Sequence, residues 1–537
     1  MVALLDGKRI LQSRKDNLMT KKNSRFWDRK AAYALVLGLL TVSGAWLLAI
    51  STPHGLGLTD DAISYIASSR ALLAGDGFTR IWLATGLKPI THWPPFYPFS
   101  LAFISTILKT DPYRSARVLN ILVFGANAGV LALFGYKMTK SQFMGVLLSI
   151  LFLSNTAFLR LHAQALSEPL YILISLVAFL AFYEAFKSDA KKELTWLFIT
   201  GIITGITYIT RYAALSLIAT FIVAILILFP TWKKRLLSLG YFLAGVLPFV
   251  LAWSLRNTLV GGTATNRAIL WHPITLENAQ RGLKSFFLFF LPRFEPPEYF
   301  ILAAIFLLIL LSLLLWVLPN GIRYFLKPKE NKRPEILPFI TVLYIFSYLG
   351  SLMVSLAFFD AATPLNDRIL SPVYLALLII LLYFAHKLFE QGKITSRILV
   401  TSLILFLLIT SFISQNRTVA ELQETATGFA SWRWNESTVM EAIRNLPDEI
   451  ITYTNQPPAV YFWTGRAPLR LWDEQPEDVR SGAAVLAIFY PPERKTPKFQ
   501  AWLAEMTEGL EPIEKSGLGN LYQKKDYEGA ARAFKGA

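Results

Sequence analysis

The sequence predicts an all-α polytopic membrane protein of about eleven transmembrane helices, followed by a small α/β domain at the C-terminal end. Two observations lead to this. Hydrophobic residues make up 54% of the 537 residues and charged ones 17%, against roughly 45–50% and 25% in a soluble domain, and the apolar excess is gathered into runs long enough to span a bilayer. After Ser414 the pattern changes to short strand-like and helix-like stretches separated by Pro-rich turns. The net charge of +17 comes mostly from residues flanking the apolar runs, which suits anionic lipid headgroups better than nucleic acid. With no cysteine in the chain, disulfides, thiolate metal sites and thiol nucleophiles are excluded.

Taken in order, residues 1–30 form a basic N-terminus carrying Lys8, Arg9, Arg14, Lys15, Lys21, Lys22, Arg25, Arg29 and Lys30. They lead into 31–50, an uncleaved anchor with its N-terminus cytoplasmic. Further spans are expected at 118–136, 142–159, 166–186, 195–211, 214–230, 236–255, 298–318, 336–358, 369–386 and 398–414. One more apolar run, Pro94–Leu108, is short and opens Pro94-Pro95-Phe96-Tyr97-Pro98; prolines can begin a helix there but cannot continue one. If that run stays in the outer leaflet, the five short inside loops hold sixteen Lys and Arg and the three short outside loops hold Arg160, Arg211 and Arg368. If it crossed, the bias would invert, against the positive-inside rule. The run is therefore read as an amphipathic or re-entrant helix.

This topology makes 31–414 a transmembrane module with a first outer loop at 51–117 and a second at 256–297. The segment 415–537 becomes an extracytoplasmic α/β domain, with strands expected at Glu449–Thr454, Ala483–Tyr490 and Gly519–Gln523 and helices at Ser437–Arg444 and Lys498–Met506. The localisation follows as multi-pass in the cell membrane. Gly201 and Gly205 form a small-xxx-small face for helix packing.

Polar residues at membrane depth cost roughly 2.5–3.5 kcal/mol on insertion scales, and here they collect at the outer ends of the spans. Asp60 and Asp61 follow the first span and open a helical stretch over 61–74 that carries Tyr65 and Arg70. Lys88 and His92 precede the Pro-rich run; Glu168, Arg211, Arg256, Arg267 and Arg368 follow in later outer segments. Arginines so placed suit a phosphate-bearing lipid; they also suit interfacial snorkelling, and the residue types alone leave both open. Asp60 and Asp61 likewise read as first-turn acids beside the N-cap or as a general base kept ionised by the helix dipole.

The segment from Thr59-Asp60-Asp61 to Gly75-Asp76-Gly77-Phe78 resembles the first outer loop of the GT-C superfamily of membrane glycosyltransferases, which includes protein O-mannosyltransferases and aminoarabinose transferases. Other pieces agree in order: His92-Trp93-Pro94-Pro95, Ser167-Glu168-Pro169, Arg211-Tyr212, Trp253-x2-Arg256-Asn257, Arg368-x3-Pro372, and Tyr453 through Arg466 in the tail. The resemblance implies transfer of a sugar from a polyprenyl-phosphate carrier to an acceptor glycan, lipid or protein, usually with inversion. The spacing to Tyr65 and Arg70 matches the family's base to Asp61, with Asp60 a neighbour that tunes it. Tyr65, Arg70, Lys88, His92, Glu168, Arg211, Arg256, Arg267 and Arg368 become the positions for carrier phosphate and sugar. The aminoarabinose transferases' Glu-Lys-Pro is absent; Leu87-Lys88-Pro89 is the nearest fragment, so lipid A is not supported as acceptor. Some relatives use a divalent metal, for which Asp61, His92 and Glu168 would be the candidate ligands, though their spacing assigns none. Two other classes stay open: a lipid-linked glycan polymerase or ligase, and a transporter or flippase of lipid-linked saccharides, which would favour repeats and midplane charges.

Overall fold

The computed structural model describes residues 30–81, 87–264, 267, 269–290, 299–361, 363–491 and 494–525; the basic N-terminus up to residue 29 lies outside them. Nine helices among these residues are long and apolar enough to cross a membrane. They are α1 (Lys30–Ser51), α4 (Pro112–Thr139), α7 (Glu168–Ala185), α8 (Ala190–Thr210), α10 (Trp232–Gly261), α12 (Tyr299–Leu326), α13 (Ile336–Phe358), α14 (Asp367–Glu390) and α15 (Ile394–Glu424).

The two other expected spans are also helical but irregular. The run at 142–159 is split into α5 (Gln142–Ser154) and α6 (Thr156–His162), bent by 67°. Asn155 causes the break, because its side-chain oxygen accepts from the backbone N–H of Ala157 and Phe158 and so starts a new helix. The run at 214–230 is a short 3₁₀ turn, Tyr212–Ala214, continued by α9 (Leu215–Leu228). With 17 residues it is about 25 Å long, short of the roughly 30 Å hydrocarbon core.

The first outer loop folds as two short helices and a hairpin. In α2 (Asp60–Ala74), Thr59 is the N-cap and the chain turns out of the helix through Gly75 at φ +86, a left-handed position that glycine takes without strain. Strands β1 (Thr79–Arg80) and β2 (Lys88–Pro89) pair antiparallel, and α3 (Phe96–Leu108) follows. Trp93, just before α3, hydrogen-bonds Asp61 at the start of α2. Asp111, just after α3, pairs with Arg70 nine residues further along α2. Both ends of α3 are thus fastened to the same short helix, and α3 runs alongside it. Its inner face buries Tyr97, Leu101 and Ser105 while Phe103 and Ile107 stay exposed, the pattern of a helix lying along the bundle with one face toward lipid.

The last span does not stop at the end of its apolar run. Helix α15 continues to Glu424, so the α/β fold begins about ten residues after Ser414. The extra turns are tied down: Glu421 pairs with Arg160 at 2.5 Å and Gln423 donates to the carbonyl of Ile50. Beyond them come α16 (Trp432–Asn435), α17 (Thr438–Arg444), β3 (Ile451–Thr454), α18 (Pro457–Thr464), β4 (Leu469–Arg470), α19 (Glu477–Ser481), β5 (Ala484–Phe489), α20 (Pro497–Met506), β6 (Leu510–Lys515) and β7 (Gly519–Lys524). The sheet order is β4-β3-β5-β7-β6, with β3 parallel to β4 and β5, and β7 antiparallel to β5 and β6. Strand β5 is buried along its whole length, as a central strand covered on both faces must be.

This domain sits directly on α2. Leu58 and Gly428 bridge the two parts, and Phe429 N donates to Leu58 O at 3.0 Å. Phe462 of α18 stacks edge-on with Tyr113 and lies under Arg70. Gly428 holds φ +64, and a Cβ there would come 2.1 Å from the carbonyl of Leu58, so the junction requires glycine.

Helix α8 packs along α10, and the small-xxx-small face is what lets them touch. A Cβ on Gly201 would lie 2.1 Å from Phe242 O, and one on Gly205 would strike the Phe249 ring. We therefore expect Gly201→Leu to destabilise the protein by about 3 kcal/mol, the upper range for overpacking. Gly240→Ala, where a Cβ meets nothing within 4 Å, should be neutral or slightly stabilising. Thermal unfolding of the purified protein in detergent measures both.

Candidate functional site

The site is built at the start of α2. Thr59 caps the helix and leaves Asp60 and Asp61 in its first turn, where the helix dipole favours negative charge. Asp61 Oδ1 accepts from the Trp93 indole at 3.1 Å, and its Oδ2 meets Arg368 Nη2 at 2.5 Å. The same guanidinium reaches Glu168 Oε1 through Nε. Glu168, with a side chain only 2% exposed, is also paired with Arg211 Nη1 at 2.8 Å. A chain of alternating charge results, Asp61–Arg368–Glu168–Arg211, that joins the starts of α2, α7 and α14 to the end of α8. Ser167 completes it, accepting from Arg211 at 3.1 Å and lying 3.3 Å from the Tyr65 hydroxyl.

Two features leave the network open to a ligand. Arg368 Nη1 has no protein hydrogen-bond partner among the described residues. Glu168 Oε2 and the Tyr97 hydroxyl are buried without one, a cost seldom tolerated away from functional sites.

The two adjacent aspartates are driven apart. Burial alone would lift the Asp61 carboxyl, but the Arg368 charge and hydrogen bond, with Arg211 and the Trp93 indole, hold it below the ordinary aspartate value. Asp60, on the open side of the turn, is raised by desolvation and by the Asp61 charge against a weaker pull from Arg470. Neighbouring carboxylates separated in this way can take different roles.

The loop that carries Lys88, His92 and Trp93 is held from outside. Arg256 donates to the carbonyls of Ile90 and Phe78 and lies over the Trp253 ring at 5.0 Å. Asn257 and the Tyr212 hydroxyl both donate to Thr91 O, and Trp253 donates to Tyr212 at 2.9 Å. The Arg211-Tyr212 and Trp253-x2-Arg256-Asn257 motifs thus clamp the backbone of the Pro-Pro loop against the bundle. His92 packs edge-on against Trp93 at 4.9 Å. Burial first, then the nearby Arg267 charge, push it below the ordinary histidine value. Arg267 pairs with Asp360 at 2.5 Å.

The sequence-predicted residues are therefore gathered unequally. Asp61, Tyr65, Glu168, Arg211 and Arg368 form one cluster, with Asp60 beside it and His92 and Arg267 next to it. Lys88 is exposed on the hairpin. Arg256 faces loop carbonyls, and Arg70 grips Asp111 through two bonds of 2.8 and 3.2 Å. Among the described residues no group of three His, Asp or Glu side chains is placed to hold a metal, and Arg368 stands between Asp61 and Glu168. Sequence reasoning passed over Trp93 and Ser167 as direct partners. Both lie inside motifs already noted, next to His92 and Glu168.

Solved structures with a similar overall fold are known. ArnT from Cupriavidus metallidurans bound to undecaprenyl phosphate superposes with a TM-score of 0.53 at 11% identity, over 91% of this chain and 98% of that one. The Archaeoglobus fulgidus oligosaccharyltransferase in complex with Zn and sulfate gives 0.56 at 11% identity, over 90% and 73%. The same archaeal enzyme, AglB, with an inhibitory peptide and a dolichol-phosphate gives 0.54 at 11% identity, over 89% and 71%. The overall fold is thus similar to that of ArnT and of the archaeal oligosaccharyltransferase. Residues 62–256 match the family model of dolichyl-phosphate-mannose-protein mannosyltransferases, a stretch that runs from the residue after Asp61 to the loop-clamping Arg256. Comparison with curated proteins returns no match.

Breaking the charge chain should cost stability in a graded way. Arg368→Met leaves Glu168 with Arg211 alone and should destabilise by about 2 kcal/mol, less than the roughly 3–5 kcal/mol for a wholly uncompensated buried charge. Adding Asp61→Asn to Arg368→Met removes the carboxylate that has lost its counter-charge, while Glu168 and Arg211 stay paired, and should restore part of the loss. Paired thermal unfolding curves of the single and double variants test this.

Proposed function

We propose that this protein is a membrane glycosyltransferase of the GT-C type that moves a sugar from a polyprenyl-phosphate carrier to an acceptor, by a single inverting displacement with Asp61 as general base. The acceptor oxygen or nitrogen attacks the anomeric carbon, the bond from that carbon to the phosphate oxygen breaks, and Asp61 takes the acceptor's proton. The electron pair stays on the phosphate oxygen. The observation that carries this reading is the Arg368 bridge, in which one guanidinium joins the candidate base to a buried carboxylate and keeps a further amino group uncommitted.

That geometry couples the two halves of the reaction. A phosphate arriving beside Arg368 competes with Asp61 for the guanidinium. As Arg368 turns to the leaving group, Asp61 loses the charge that depresses its basicity and becomes the better proton acceptor. Charge growing on the phosphate oxygens is met by a preorganised cation, with Lys88, His92 and Arg267 along the same rim. Arg211 keeps Glu168 neutralised while Arg368 is engaged. Arg256 and Tyr212 act by positioning, through the carbonyls of the Pro-Pro loop. ArnT with undecaprenyl phosphate and AglB with dolichol-phosphate and a peptide share this fold, which supports a lipid-linked donor.

The polar network, α3 and the α/β domain lie at one end of the bundle, and the positive-inside bias puts that end outside the cytoplasm of the cell membrane. Reporter fusions after residue 140 should read cytoplasmic and after residue 415 extracytoplasmic; the reverse pair of results would overturn this orientation.

Asp61→Asn should reduce transfer by at least about 10²-fold, the contribution of a positioned base, with binding of the polyprenyl-phosphate sugar retained. Mass spectrometry of carrier lipids and surface glycans should then show donor accumulating and one sugar missing from its acceptor. A properly folded Asp61→Asn protein with undiminished transfer would remove the assignment. The base acts ionised, so the rate should fall as pH drops through the lowered Asp61 pKa. Trp93→Phe removes one of the bonds that lower it, and the acid limb of the pH–rate profile should move to higher pH.

A further inference from the structure

At the end of the bundle opposite Asp61, the ends of α4, α7 and α14 and the start of α13 enclose a second pocket of about 420 Å³. It is well separated from the site above: Lys387, in its wall, lies nineteen residues along α14 from Arg368, about 28 Å at helical rise. The volume falls in the range of small-ligand sites.

Its chemistry is basic and built. Lys137, Lys140 and Lys187 all approach the ring of Tyr183, at 6.0, 5.2 and 4.7 Å. Lys137 is neutralised by Glu184 at 2.5 Å. Lys140 donates to the carbonyl of Lys137 and to the Tyr183 hydroxyl, both at 2.6 Å, and neither Lys140 nor Lys187 has a carboxylate partner among the described residues. On the opposite wall Glu335 is paired with Lys387 at 2.9 Å and Glu390 meets the His386 imidazole at 3.3 Å. The wall acids are therefore already engaged, and two ammonium groups converge on one tyrosine with no ion pair of their own among the described residues.

We propose that this pocket seats a phosphate group, with Lys140 of its wall as the principal cation and Lys187, beside the pocket at the Tyr183 ring, as a second. Basic pockets between helix ends at a membrane surface suit phospholipid headgroups; a soluble phosphate ester carries the same recognition chemistry. The site lies away from the catalytic end, so its occupant acts as a bound regulator or structural lipid of the far leaflet rather than as donor.

The test uses the purified full chain, delipidated in detergent, titrated with dioctanoyl-phosphatidylglycerol, dioctanoylglycerol or glycerol phosphate while thermal unfolding is followed. Phosphatidylglycerol should raise the unfolding temperature and dioctanoylglycerol should not. Lys140→Gln should weaken apparent affinity roughly tenfold, the loss of one charge-assisted hydrogen bond, and Lys140→Arg should retain most of it. Lys187→Gln, in an exposed turn, should act in the same direction without risk to folding. Glycerol phosphate matching phosphatidylglycerol would identify a soluble ester as the occupant; no effect from it would identify the lipid. Dioctanoylglycerol binding as well as phosphatidylglycerol, or both lysine variants binding like the wild type, would overturn the proposal.

Discussion

Everything at the Asp61 end of the bundle depends on one guanidinium. Arg368 must sit between Asp61 and Glu168, because neither a nearly buried carboxylate nor a half-buried arginine is tolerable near the membrane without a counter-charge. That requirement brings the starts of α2, α7 and α14 together, although Asp61 and Arg368 are 307 residues apart. Arg211 adds the end of α8. The charges alternate, so the network is nearly neutral and rigid until a new anion competes for a link in it.

Around this centre the structure separates chemistry from support. Arg256, Asn257 and Tyr212 fix the carbonyls of the loop that brings Trp93 to Asp61. Arg70 and Asp111 fasten α3 to α2, and α18 covers them with Phe462. Helix α2 is buried along most of its length, from Ala62 to Ser69, between α3, α4 and the α/β domain. Its first turn is thereby presented at a set position rather than on a free loop, as the proposed roles of Asp61 and Arg368 would require.

Much of this was legible beforehand because it follows from local pattern. Apolar run length located the helices. The ordered motifs singled out Asp61, Glu168, Arg211 and Arg368, which the fold brings together at one end of the bundle. The irregular spans were less legible, since the bend at Asn155 depends on one side chain capping a new helix inside an apolar run. The roles of Arg70 and Arg256 were hidden for a different reason. An arginine beside aromatic residues reads the same whether it faces a phosphate, an aspartate or a carbonyl, and only the fold supplies Asp111, Ile90 and Phe78 as neighbours.

The sequence by itself determined that the chain crosses a membrane many times, that its polar chemistry collects at one end, and that a small α/β domain follows the last span. Run length, charge bias and strand periodicity are properties of contiguous residues, and they need no knowledge of what lies opposite. The tertiary structure alone decided which cations meet which acids. Those pairings join residues from about 40 to about 300 positions apart, and the cost of an unpaired charge in a low-dielectric site is settled only when the helices are packed side by side.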